Sequence, residues 1–368
     1  MSYFSPVKYI DDPDTLAAIQ ELLAGNLSQA WLQVGERVRV RPKDPERGLT
    51  YEDCNVGGYG YDALPESVVN HPSMIPRGCA EESGFPDLGY TVNRKSDIWA
   101  DNVAQLFEEA KARSWNPATD IDWQAIQAAH IPPEIENAFC QLCTFFAEAG
   151  FFGADILGRW IVRTNQMFLE AKSLMGMQLL EGMKLGEVFW KRALVRGEGP
   201  GVVNAVAEQL FKRLLLLPSF WEVTVAFHFV LIHFLLALAR QAAHSAPCGQ
   251  DQRILQFTMQ DIARCMAYGQ NHLRYMLTHH PGRGDDAVEL LTEVERMVVA
   301  VLASPELTEP LIILAGGGTS PAQIRMGGER LGHFFGQAVE EYFQRCRAVG
   351  LPERSGESPL AKAFGLLG

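Results

Sequence analysis

From Pro133 onward the chain is a succession of long apolar stretches with helical spacing, separated only by short polar turns. PEIENAFCQLCTFFAEAGFFGADILGRWIVR forms the first and NQMFLEAKSLMGMQLLEGMKLGEVFWKRALV the second. RGEGPG at 196–201 breaks the chain, a third helix is expected over about 203–244, SAPCGQDQ turns it, and a fourth covers about 251–280. HPGRGDD ends that helix, a fifth runs about 286–303, and LAGGGTSP at 314–321 leads into a last helix ending near 348. No strand alternation competes with this pattern, so the fold is expected to be nearly all α.

The first hundred residues differ. One helix is expected at about 13–36, followed by a loop-rich stretch with GGYGYDALPES at 57–67 and a helix over roughly 96–113. WNPATDIDW, 115–123, combines turn chemistry with alternating apolar and acidic residues and reads as a strap laid over an entrance. These shifts divide the chain into an extension at 1–130, a helical core at 131–282 and C-terminal helices at 283–368.

A net charge of −12 and the absence of a basic stripe argue against nucleic acid as a partner. Seven scattered cysteines without a signal peptide fit reduced thiols and a cytoplasmic location. Cys140 and Cys143 form a C-x-x-C, but inside an apolar helix with no second half-site they read as core. LAGGGTSP lacks the order of a phosphate-binding loop and reads as a linker. The stretch LLLLPSFWEVTVAFHFVLIHFLLALAR, 214–240, contains Pro218, Glu222, His228 and His233. Its uninterrupted apolar runs fall short of the ~20 residues a bilayer requires, so the expectation is a buried helix and no membrane span.

Two antiparallel helices that share a central site must place its residues at equal depth, equidistant from the turn between them. A di-iron bundle does this twice, each hairpin giving Glu from one helix and E-x-x-H from the next. In EGMKLGEVF the positions of that second motif hold Gly182 and Leu185, and 32 residues before Gly182 stands Gly150. Their midpoint, residue 166, lies beside the turn residues Thr164 and Asn165. In DIARCMAYGQNHL the same positions hold Ile262 and Cys265; Ile232 stands 30 residues before Ile262, with the midpoint at Pro247 in the HSAPCG turn. Two hairpins of matching length emerge, each with its turn where the symmetry requires one.

The run FAEAGFFGADILGRWIVRTNQMFLEAKSLMGMQLLEGMKLGEVFWKRAL, with DIARCMAYGQNHLRYML, resembles the ferritin-like di-iron superfamily of the ribonucleotide-reductase small-subunit type. The resemblance covers about residues 133–281. It implies a four-helix bundle of two hairpins, with extra helices and the N-terminal extension packed on it. It also implies Glu at Gly150, Gly182, Ile232 and Ile262, and His at Leu185 and Cys265. All six differ here, so the oxygen-activating chemistry does not carry over, and neither a metal nor another cofactor is expected.

Glu148, Glu181 and Asp261 flank the lost positions, but one- or two-residue offsets turn them about 100° or 200° around their helices, away from the centre. His228 lies one turn before Ile232 and faces inward, His233 is one step off that face, and Cys265 occupies a vacated His position. These make His228 and Cys265 the weak catalytic candidates, with Gln178 and Thr258 as polar residues around a cavity. Gly150 and Gly182, joined by Gly153, Gly176 and Gly186, imply either close helix approach or a centre kept open. Three readings follow. The first is a metal-free protein that binds, with or without transforming, a small hydrophobic molecule in an apolar cavity. The second is a non-catalytic pseudoenzyme subunit beside a metal-bearing homologue, and the third an oxygenase with a non-standard metal. Self-association as a homodimer, or pairing with a related subunit, is expected from the family resemblance.

Overall fold

The computed structural model describes residues 12–29, 32, 38–71, 73–79 and 87–365. Among these the chain is all helical, and its only β-type contacts are two isolated bridges, Ser67 with Arg94 and Val92 with Thr164. Helix α1 (Pro13–Leu23) is capped by Asp12, whose carboxylate accepts from the Thr15 backbone N–H. It stops well before residue 36, followed by Gly25 at φ +82°; residues 30, 31 and 33–36 of the expected helix lie outside the described residues. Helices α2 (Val103–Ala112) and α3 (Trp123–Ala128) complete the extension.

Helix α4 (Pro133–Ile161) follows the expected boundaries, α5 (Leu169–Leu194) starts four residues after the expected Asn165, and the two pack along their lengths. The expected third helix is divided. α6 (Ala205–Leu215) ends just before Pro218, which has no N–H to continue a helix, and Ser219 caps a new one, α7 (Phe220–His244). Residues Thr224–Leu231 of α7 form a π-helical segment, a widening that apolar periodicity does not encode. α8 (Gly249–His279) returns against α7 and meets α5, while α2 lies across α5 and α8. α9 (Gly284–Leu302), α10 (Pro305–Gly316) and α11 (Pro321–Ala348) wrap this centre, with short α12 (Arg354–Glu357) and α13 (Pro359–Ala363) closing the end. The LAGGGTSP linker is the α10–α11 turn, with Gly317 in the left-handed region and Ser320 capping α11.

The loop segments at 57–71, 73–79 and 87–98 clasp the α4–α5 turn. Asn165 donates through Nδ2 to the carbonyls of Val68 and His71 and to Asn93 Oδ1, and its backbone N–H donates to Val92 O. Arg77 reaches buried Glu170 at 2.5 Å and the Met167 carbonyl at 2.9 Å. One hydrophobic core runs without interruption from Leu64 to Ala361.

The expectations of no membrane span and of a purely cytoplasmic protein are corrected by this structure. Pro133–Ile161, of mean hydropathy 1.2, and Phe220–His244, of mean hydropathy 2.0, are long and apolar enough to cross a bilayer. A third candidate arises if α9 and α10, bent by 57° at their break, count as one span. Counting uninterrupted apolar runs missed this, because isolated polar residues such as His228 and His233 barely lower the average over a helix-long window. Within the chain, 78% and 94% of the two windows is covered by its own helices.

Candidate functional site

The two hairpins bring the six positions singled out by symmetry to one place. Gly150 from α4, Gly182 and Leu185 from α5, Ile232 from α7, and Ile262 and Cys265 from α8 all line a single cavity of about 40 Å³. Gln178 lines it too, whereas His228 and Thr258 do not. His228 lies behind the wall, its Nε2 3.4 Å from Gln178 Oε1 and its ring edge-on to Phe220, Phe227 and Tyr268. No hydrogen bond joins it to Cys265, whose thiol burial holds well above its ordinary pKa. His233, one step off the face of His228, has its Nε2 2.8 Å from the Ala338 carbonyl on α11, outside the cavity.

The cavity is small because α4 and α5 touch through backbone. A Cβ added at Gly150 would stand 2.5 Å from Gly186 N, 2.5 Å from Leu185 Cδ2 and 2.8 Å from Gly182 O. One at Gly182 would stand 3.0 Å from Ala154 N and from Gly150 O. Gly186 is pressed by the Phe151 ring, while Gly153 and Gly176 leave ordinary van der Waals room. Between close approach and an open centre, the seam takes close approach. A cavity of this size has room for roughly two or three water molecules, far below the ~300 Å³ of a small-molecule pocket.

One edge of the cavity is charged. Arg264, two buried carboxylates and Lys184 form a network: Arg264 Nη2 donates to Glu181 Oε1 at 2.5 Å and to Asp261 Oδ1, and Lys184 Nζ lies 3.3 Å from Asp261 Oδ2. Trp115 Nε1 donates to the same Asp261 oxygen at 2.8 Å, and the Lys184 ammonium sits over the Trp115 ring. Burial, then the neighbouring Asp261, pushes the Glu181 carboxyl up to about 7. Glu181 and Asp261 are therefore interhelical, but the expectation that their offset turns them away from the centre is corrected: both are buried and both reach the cavity wall. Glu148, half-buried, takes no part in it. The sequence reading missed Arg264, Lys184 and Trp115, although Arg264 stands three residues after Asp261, the spacing of an intrahelical ion pair.

Iron of the carboxylate-bridged kind needs several carboxylates and imidazoles converging on one point. Among the described residues no group of three or more His, Cys, Asp or Glu side chains is placed to hold a metal ion. The cavity wall offers Glu181 and Asp261, already neutralised by Arg264 and Lys184, and a thiol; this donor set does not fit a di-iron centre. The Cys140–Cys143 pair is buried as free thiols within the α4 core. Comparison with family models, with curated proteins and with solved structures finds no match to this chain.

Proposed function

We propose that the chain is a ferritin-like protein of the ribonucleotide-reductase small-subunit type whose metal centre has been replaced by direct helix packing. It would act as a non-catalytic subunit beside a metal-bearing relative. The observation that carries this reading is the α4–α5 seam. At Gly150, where the first carboxylate of such a centre would start, even a Cβ meets backbone atoms of α5. The paired hairpins with their turns at 162–168 and 245–248 support the ferritin-like part of the reading. An exposed apolar stripe supports the pairing: Leu180, Met183, Trp190 and Leu194, spaced along the outer face of α5, are each more than a third exposed, with Phe151 of α4 beside them. That stripe follows the three-four spacing with which helices pack on helices.

The test is metal loading together with recovery of partners. The purified chain, incubated with ferrous iron or manganese and then desalted, is expected to retain neither in stoichiometric amount. Affinity capture from its native host is expected to recover a metal-bearing helical relative, and Trp190→Glu should abolish that capture. About two metals per chain, or capture insensitive to Trp190, would overturn the proposal. The small-molecule reading has one observation in its favour: Gln178 Nε2, on the cavity wall, has no hydrogen-bond partner. The volume restricts any occupant to a few atoms.

A further inference from the structure

Four arginines are buried among the described residues, and three face carboxylates. Arg192 lies between Glu136 and Asp251, Arg264 between Glu181 and Asp261, and Arg354 against Glu295. Arg345 is the exception. It is 8% exposed, and no acidic side chain among the described residues forms an ion pair with it. Its Nε donates to Gln270 Oε1 at 3.1 Å and its Nη1 to the Phe229 carbonyl at 3.0 Å, while the guanidinium lies over the Phe229 ring. Nη2 has no partner.

A buried cation held only by neutral acceptors is a costly arrangement unless an anion joins it. The surroundings provide the space. Arg345 and Gln270 line a cavity of about 320 Å³ between α7, α8 and α11, together with Arg240, Glu341 and Gln344. Glu341 is engaged by Arg240 at 2.7 Å, so it does not neutralise Arg345, and the two arginines against one glutamate leave the cavity one positive charge in excess. Guanidinium groups (Arg345, Arg240) and primary amides (Gln270, Gln344) are among the groups around this space, and such donors suit an oxyanion with several acceptor oxygens. The volume falls within the range of small-ligand pockets, unlike that of the central cavity.

We propose that the cavity between α7, α8 and α11 binds a phosphomonoester group, with Arg345 as the residue that recognises it. The group could be carried by a free metabolite or by a lipid headgroup, and the shared chemistry is a phosphate dianion meeting an unpaired buried guanidinium. This site is separate from the central cavity and does not rest on the ferritin-like reading.

The full-length protein is titrated calorimetrically with glycerol 3-phosphate, and sedimented with phosphatidylcholine vesicles with and without phosphatidic acid. Saturable binding in at least one arm is expected; binding of glycerol 3-phosphate identifies a free phosphomonoester, and binding confined to phosphatidic acid vesicles identifies a lipid headgroup. Arg345→Gln should weaken the productive arm tenfold or more. Gln270→Glu covers the case in which that variant fails to fold: it places a carboxylate against the guanidinium. It should weaken binding at least tenfold while holding or raising the melting temperature. No binding in either arm, or binding that Gln270→Glu leaves unchanged, overturns the proposal.

Discussion

The two central hairpins meet at the same cavity and close it by opposite means. In α4–α5 the seam is backbone against backbone, with Gly150 and Gly182 facing each other across it. In α7–α8 it is filled by side chains, Ile232, Leu235 and Phe227 from one helix and Ile262 and Cys265 from the other. Only Gly269 there makes a comparable approach, taking the backbone and Cβ of His228. A seam closed by backbone has no rotamer to adjust and no atom to remove. A seam closed by side chains can be repacked, at the cost of whatever contact or volume is lost.

The largest expected effect lies in the first hairpin. Gly150→Leu should cost about 3 kcal/mol or more, at or beyond the upper end of overpacking, because two of the three atoms met first, Gly186 N and Gly182 O, are main chain and cannot turn aside as the Leu185 side chain can. Urea unfolding measures it. Stability equal to that of the parent would show that the helices part freely and that the comparison fails. In the second hairpin Ile262→Leu, which conserves volume, should cost less than about 1.5 kcal/mol, and Ile262→Val about 1 kcal/mol for its lost methylene. A loss at Ile262→Leu as large as at Gly150→Leu would erase the distinction between the seams. Smaller still is Gly182→Ala. Its Cβ would sit 3.0 Å from two backbone atoms, a tight contact that the roughly 1 kcal/mol helix preference of Ala over Gly partly offsets. The net change should stay within about 1 kcal/mol by the same unfolding measurement, well short of Gly150→Leu.

Sequence symmetry was sufficient to bring Gly150, Gly182, Leu185, Ile232, Ile262 and Cys265 to one cavity, because helix periodicity and turn position together fix both angle and depth. It did not tell whether the glycines held space open, since that depends on interhelical distance, which no single sequence prints. The break at Pro218 was visible as a residue but not as a helix end, because the apolar run continues through it. The π segment at 224–231 left no trace at all in the pattern. For Glu181 and Asp261 neither the burial nor the place on the cavity wall was legible, because both depend on Arg264, Lys184 and Trp115 holding the two carboxylates there. Arg345 was invisible for the same reason, its character lying in a carboxylate that fails to arrive.

The two hairpins also differ in how acid and base act on them, and this gives the subtlest measurement. On α5, Glu181 is pushed up to about 7, so between its ordinary value near 4.5 and 7 the folded chain holds a proton that the unfolded chain has released. Its contribution to stability is therefore full at low pH and is lost as pH rises through that window. On α8, His272 is pushed down to about 3 by burial; its Nδ1 lies 2.8 Å from Thr224 Oγ1 and its Nε2 3.2 Å from the Ser96 carbonyl. That contribution is present above the ordinary histidine value of about 6.5 and is lost as pH falls toward 3. Total stability mixes the two signs, so the informative quantity is the difference between the parent and Glu181→Gln. The variant forfeits the charge-assisted bond to Arg264 but keeps an acceptor there. Its stability relative to the parent should rise between pH 5 and pH 8, as the parent alone must ionise a buried carboxyl. A difference that stays flat over that range would show the Glu181 carboxyl to be solvated, and the edge of the cavity wetter than its burial implies.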